Sequence, residues 1–190
     1  MIFFMKKILF MFISFIFVII SSLNFIYAKE EFWQDISANK DLFKIVSFLE
    51  TKKAINKSKQ FFPEEKISRA AFVKMTVAAT FDKHWIKGKN CFSDVENEWF
   101  AKYVCTAKRA VIVSGYNDQS FRPEENINFM EAVKIISNTF EHQFGWKNIA
   151  YIDFINKENS PTNIADFHKE VTRQEAVTML YSILKNLKFS

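Results

Sequence analysis

The sequence predicts a mainly α-helical protein, with three helix-loop-helix repeats set around a three-helix core of pseudo-threefold symmetry. Three observations carry that expectation. First, Cys91 to Phe140 forms one complete unit: an F-x-D opening (Phe92, Asp94), an aromatic-rich amphipathic run, a Gly-Tyr-x-Asp turn, a Phe-Arg-Pro step and a second amphipathic run. Second, its residues recur at fixed offsets. Phe61, Pro63 and Ile67 stand 60 residues before Phe121, Pro123 and Ile127, Asp35 stands 59 before Asp94, and Val171 to Ala176 (VTRQEA) stands 44 after Ile127 to Ala132 (INFMEA). Third, aligning the second helices by these offsets superimposes Ala132, Val133, Ile135, Ile136 and Phe140 on Ala176, Val177, Met179, Leu180 and Leu184. Phe72, Val73, Met75, Thr76 and Thr80 take the same places in the first copy. Repetition of this kind arises when one unit cannot bury its apolar face alone and must pack on its siblings.

The elements follow in order. Residues 29–86 form a degenerate first repeat, 87–143 the second, and 144–190 a third whose first half is degenerate. In the first repeat Leu42, Ile45 and Leu49 recur at helical spacing. Pro63 places Phe62 in an extended or turn conformation, and Ser68 caps a helix from about Arg69 to Phe81. In the second, a helix starts near Glu98 and carries Trp99, Tyr103 and Ala107 on one stripe. Gly115 turns the chain at positive φ, and Asn128 caps a helix to about Phe140. In the third, Trp146 opens a run that ends at Ser160-Pro161, and Thr172 with Glu175 has the spacing of a capping box.

A hydrophobic content of 49% suits a globular chain, but part of it belongs to an address. Lys6 and Lys7 precede an apolar run from Ile8 to Phe17 that contains only Ser14, and Ala28 is a small residue at a cleavage position. Residues 1–28 therefore read as a signal peptide, the alternative being an uncleaved membrane anchor. Without them Lys6 and Lys7 leave and the net charge falls from +5 to +3. Lysines and acids are interspersed with no basic block, so no nucleic-acid partner is expected. Membrane contact is expected only through the N-terminal segment, if it is retained. The two cysteines, Cys91 and Cys105, would meet an oxidising compartment after export. Their bond would close a loop worth about 3 kcal/mol in chain entropy; two buried free thiols are the alternative.

F-x-D, W-F-A-x-Y-V, S-G-Y-x-D-x-x-F-R-P-E and the V-T-R-Q-E-A box together resemble the S-layer homology domain, over about residues 30 to 186. The resemblance implies a trident-like helical module of exported bacterial proteins. It also implies a location in the cell envelope or at the cell surface, and non-covalent attachment to cell-wall polysaccharide or peptidoglycan as an anchor or surface-layer component. Other envelope proteins are candidate further partners. It further implies that grooves between repeats bind an acidic, often pyruvylated, sugar through an Arg, an acidic residue, an aromatic and a loop Gly. On this chain those roles fall on Arg69 and Arg173, Asp35 and Asp94, Tyr116 and Trp99, and Gly115. The helix box is represented by Thr172, Glu175 and Glu131. The second copy has Phe129 in place of the Arg and the first has Ala71 in place of the Glu, which leaves one or two complete grooves.

From residue chemistry alone, an Arg at a helix start adds a forked donor to free backbone amides, a combination suited to a carboxylate. Trp33, Trp99 and Trp146 could stack on a sugar ring. No enzymatic activity, cofactor or metal site is expected: His84, His142 and His168 are scattered, no Ser or Cys nucleophile lies in a motif, and the repeats leave too few residues for a catalytic domain. The competing reading is a structural protein-interaction subunit of the envelope that has lost glycan binding.

Overall fold

A computed structural model describes residues 32–145 and 167–185. The segment read as a signal peptide, and the run opened by Trp146, lie outside the described residues. Among the described residues there are five α-helices: α1 (Lys40–Thr51), α2 (Arg69–Thr80), α3 (Ala101–Arg109), α4 (Phe129–Phe144) and α5 (Arg173–Leu184). The mainly α expectation is met. None of these helices is long and apolar enough to cross a membrane.

The helix starts follow the capping chemistry written in the sequence. Asn39 accepts the amide of Leu42 at 3.0 Å, and Ser68 that of Ala71 at 3.3 Å. Asn128 with Glu131, and Thr172 with Glu175, form complete capping boxes in which each side chain satisfies a backbone amide of the other residue. Two boundaries differ from expectation. Helix α3 begins at Ala101, because a tighter turn precedes it in which the Ala101 amide donates to Glu98 O at 3.0 Å. Its buried stripe is therefore Phe100, Val104 and Ala107, and Trp99 falls outside it. Helix α4 runs one turn past Phe140 and stops at Gly145, whose φ of 67° suits a residue without a Cβ.

Helix α2 is the centre of the packing. Phe72, Val73, Met75, Thr76 and Val77 are all buried, so no face of its middle is left to solvent. It packs on α3 and α4, while α1 packs on α5. The segments that lead into α2, α4 and α5 meet in a closed cycle of backbone hydrogen bonds. The Ile67 amide donates to Val171 O at 3.0 Å, the Val171 amide to Ile127 O at 2.9 Å, and the Ile127 amide to Ile67 O at 3.0 Å. All three side chains are buried. The cysteines are joined as a disulfide, with Cα atoms 5.5 Å apart, which ties the segment before Phe92 to α3.

Candidate functional site

Two loops with the sequence F-x-P are built alike. The Asp35 carboxylate accepts the amides of Phe61 (2.8 Å) and Phe62 (2.6 Å), and the Asp94 carboxylate accepts those of Phe121 and Arg122, both at 2.7 Å. Phe62 and Arg122 sit at φ of 57° and 58°, left-handed conformations that a side chain adopts only when its surroundings impose them. Each Asp supplies that constraint through two charge-assisted bonds. The rings of Phe61 and Phe121 are buried below the loops.

Each loop is gripped by an arginine from another helix start. Arg69 Nε donates to Phe121 O at 3.1 Å, with its guanidinium 5.0 Å above the Phe121 ring. Arg173 Nε donates to Phe61 O at 2.7 Å, 4.9 Å above the Phe61 ring. The amides beside these arginines are not free, contrary to the sequence reading. Arg69 N donates to Glu125 O, Ala70 N to Pro123 O, Arg173 N to Glu65 O and Gln174 N to Pro63 O, so the helix starts are sealed by carbonyls of the neighbouring loops. An anion must therefore be met by side chains.

The surroundings of the two arginines then diverge. Arg69 is 6% exposed and its Nη1 lies 2.8 Å from the Glu131 carboxylate. Tyr116 lies between Arg69 and Arg122, whose guanidiniums are 5.0 and 3.9 Å from its ring, and its hydroxyl reaches Glu131 at 3.3 Å. Burial raises the Tyr116 phenol above its ordinary pKa, helped by Glu131 and opposed by Arg69, so it stays a neutral donor. Gly115 turns the chain beside it at φ 72°, where a Cβ would collide with the Phe92 ring and lie 2.7 Å from Ser120 O.

Arg173 is half-buried, and no carboxylate among the described residues is within ion-pair distance of it. Burial lowers its pKa, against the more distant charges of Glu65 and Asp35. It lines an open cleft of about 190 Å³ together with Phe61, Ala71, Lys74, Asn56 and Trp99. Lys74 is a second cation there, 8% exposed. Its Nζ donates to Ala54 O at 2.7 Å, Lys53 O at 3.2 Å and Asn56 Oδ1 at 3.3 Å, just beyond the C-terminus of α1, where the helix dipole favours positive charge. Burial, with the charges of Arg173 and Lys102, nonetheless lowers its pKa to about 8. Trp99 is 60% exposed and brings an aromatic face to the same cleft.

Of the residues named from sequence, the structure thus joins Arg173 and Trp99 in one cleft and places Arg69, Tyr116 and Glu131 together in a closed network. Asp35 and Asp94 are engaged by backbone amides. Trp33, 2% exposed, packs edge-on against Phe61 in the core, which leaves no face for a sugar. Lys74 was missed. Its signal was a lysine inside the otherwise uninterrupted buried run from Phe72 to Val77. Among the described residues no group of His, Cys, Asp and Glu is placed to hold a metal.

The loop pinned by Asp94, the Gly115-Tyr116 turn and the Asn128–Glu131 capping box fall together in the stretch that matches a family model, the S-layer homology domain, at residues 92–133. That segment is similar to an S-layer homology domain. It is 28% identical over 129 residues to the middle cell wall protein of Brevibacillus brevis, a match covering 64% of this chain and 12% of that protein. It is 31% identical over 98 residues to a cellulosome-anchoring protein of Acetivibrio thermocellus, covering 50% of this chain and 22% of the relative. A surface layer protein of Brevibacillus choshinensis matches at 27% over 130 residues, 66% of this chain and 12% of that protein. The chain thus corresponds to a small part of each relative's length.

Proposed function

We propose that this is an exported envelope protein that attaches to the cell surface by binding an acidic cell-wall polysaccharide or peptidoglycan non-covalently in the cleft at Arg173. The observation that carries the reading is the pairing of two buried or half-buried cations, Arg173 and Lys74, in a cleft where no carboxylate among the described residues lies at ion-pair distance of Arg173 and an exposed indole stands at the edge. Charged groups are held out of water only where something compensates them. A carboxylated sugar supplies both the missing charge and a ring for Trp99. The names of the three relatives, a cell wall protein, a cellulosome-anchoring protein and a surface layer protein, support the same location and role. The chain acts as a binding protein and not as an enzyme.

The module behind the cleft is three copies, residues 29–86, 87–143 and 144–190, related by a pseudo-threefold axis. The closed cycle of Ile67, Ile127 and Val171 supports this, since each residue donates to one neighbour and accepts from the other as a threefold arrangement requires. A second reading, a protein-interaction subunit without glycan binding, draws on the internal engagement of Asp35, Asp94 and Arg69. Co-sedimentation with the producing cell's sacculi, before and after chemical removal of their acidic polymers, separates the two. Retention that disappears with the acidic polymers is expected. Retention that survives their removal, or no retention at all, overturns the glycan reading.

A further inference from the structure

The grip of Arg69 on Phe121 and that of Arg173 on Phe61 superimpose contact for contact, yet one arginine is neutralised and the other is not. The difference traces to one position. Glu131, which pairs with Arg69, stands 60 residues after Ala71, the same offset that relates Phe61 to Phe121. Ala71 lines the cleft of Arg173 and offers it a methyl group where Arg69 meets a carboxylate. The complementary case occurs at the third helix start. There Phe129 replaces the arginine and packs against Phe167 at 6.1 Å, while Glu175, left without an arginine, pairs with Lys169 at 3.1 Å.

We infer that Glu131 is a built-in stopper: its carboxylate occupies the place at Arg69 that an acidic ligand takes at Arg173, and the residue at this position decides which groove accepts an anion. This rests on the cleft at Arg173 being the ligand site. A carboxylate 2.8 Å from Nη1 already satisfies the guanidinium, so an external carboxylate has to displace a covalently tethered competitor that is also anchored at the Asn128 amide. At Arg173 no such competitor lies within ion-pair distance among the described residues.

The decisive variant is Ala71→Glu. Ser68 already accepts the Ala71 amide, so a carboxylate at this position completes a capping box as Glu131 and Glu175 do, and the variant is expected to fold with an unchanged or raised melting temperature. The probe is pyruvate, a small carboxylate, titrated while the arginine Nε–H resonances are followed by NMR. In the wild type the Arg173 resonance shifts saturably and that of Arg69 does not. In Ala71→Glu the affinity read at Arg173 falls roughly ten- to a hundredfold. Glu131→Ala, where it retains the native near-UV signal, makes Arg69 responsive. An Arg173 that responds equally in Ala71→Glu, an Arg69 that responds in the wild type, or an Arg173 that is silent in the wild type overturns the inference. So does loss of response with a lowered melting temperature, which indicates a clash and not a pair. If pyruvate behaves as expected while neither wild type nor variant is retained on sacculi, the stopper stands and the glycan reading falls.

Discussion

The grooves at Arg69 and Arg173 share an arginine, a carbonyl and an aromatic ring at nearly the same distances, and differ in what faces the free side of the guanidinium. At Arg69 a carboxylate closes the network and the arginine serves the fold. At Arg173 a methyl group and a second buried cation leave positive charge turned towards solvent. The comparison teaches that the arginine of a motif does not by itself report binding; the residue contributed by the neighbouring segment decides whether its charge is spent inside the molecule.

The largest expected effect breaks the closed groove. Glu131→Ala leaves the Arg69 guanidinium buried without its counter-charge and should cost about 3–5 kcal/mol in urea unfolding. A loss below about 1 kcal/mol would mean that Arg69 is solvated and that the two grooves do not differ as described. Next come the two loop-pinning carboxylates. Asp94 is half-buried and Asp35 exposed, although their hydrogen bonds match. Asp94→Ala should therefore destabilise by about 3 kcal/mol and Asp35→Ala by less, since water can take over exposed amides. If either variant kept full stability and lost only wall retention, that carboxylate would belong to the ligand and not to the loop.

A smaller effect, with a sign that sharpens the contrast, comes from Lys74. Its folded-state pKa of about 8 lies below the ordinary 10.5. Below pH 8 both folded and unfolded forms hold the proton. Between about 8 and 10.5 the unfolded chain binds more protons than the folded one, so this group makes stability rise with pH. Anion binding in the cleft should change the other way, weakening as pH rises through about 8 and the positive charge is lost. Thermal melts and sacculus binding measured across pH 7 to 10 should diverge in direction. In Lys74→Met the pH dependence of binding should vanish; binding that keeps its dependence there would assign it to another group.

Much of the fold was legible because its signals are local. Ser68, Asn128 and Thr172 announce helix starts through their own hydroxyl or amide chemistry, and the 60-residue offset relates loops that prove to have the same bonds. What escaped is non-local. The amides at Arg69 and Arg173 look free in any reading of one helix, and only the arrival of Pro63, Glu65, Pro123 and Glu125 from other segments fills them. Trp99 was placed on a buried stripe because the helix was expected to start near Glu98; it starts at Ala101, so Trp99 lies in the preceding turn, where helical periodicity does not set its direction. Lys74 showed only as a lysine interrupting the run from Phe72 to Val77; its partners were not legible, since the carbonyls of Lys53 and Ala54 that hold it become acceptors only once the chain after α1 is brought to α2.

The most direct measurement compares Arg173→Ala with Arg69→Ala on native sacculi, each with its unfolding free energy. Arg173→Ala should weaken retention by about 1.5–3 kcal/mol, the range of a charged hydrogen bond, and Arg173→Lys should restore only part because an ammonium lacks the forked geometry. Its near-UV signal should remain native. Arg69→Ala should lose stability and, in the fraction that stays folded, bind as the wild type does. Equal retention of Arg173→Ala and wild type would contradict the assignment of the cleft, and so would a loss of retention shared equally by the two variants at matched stability.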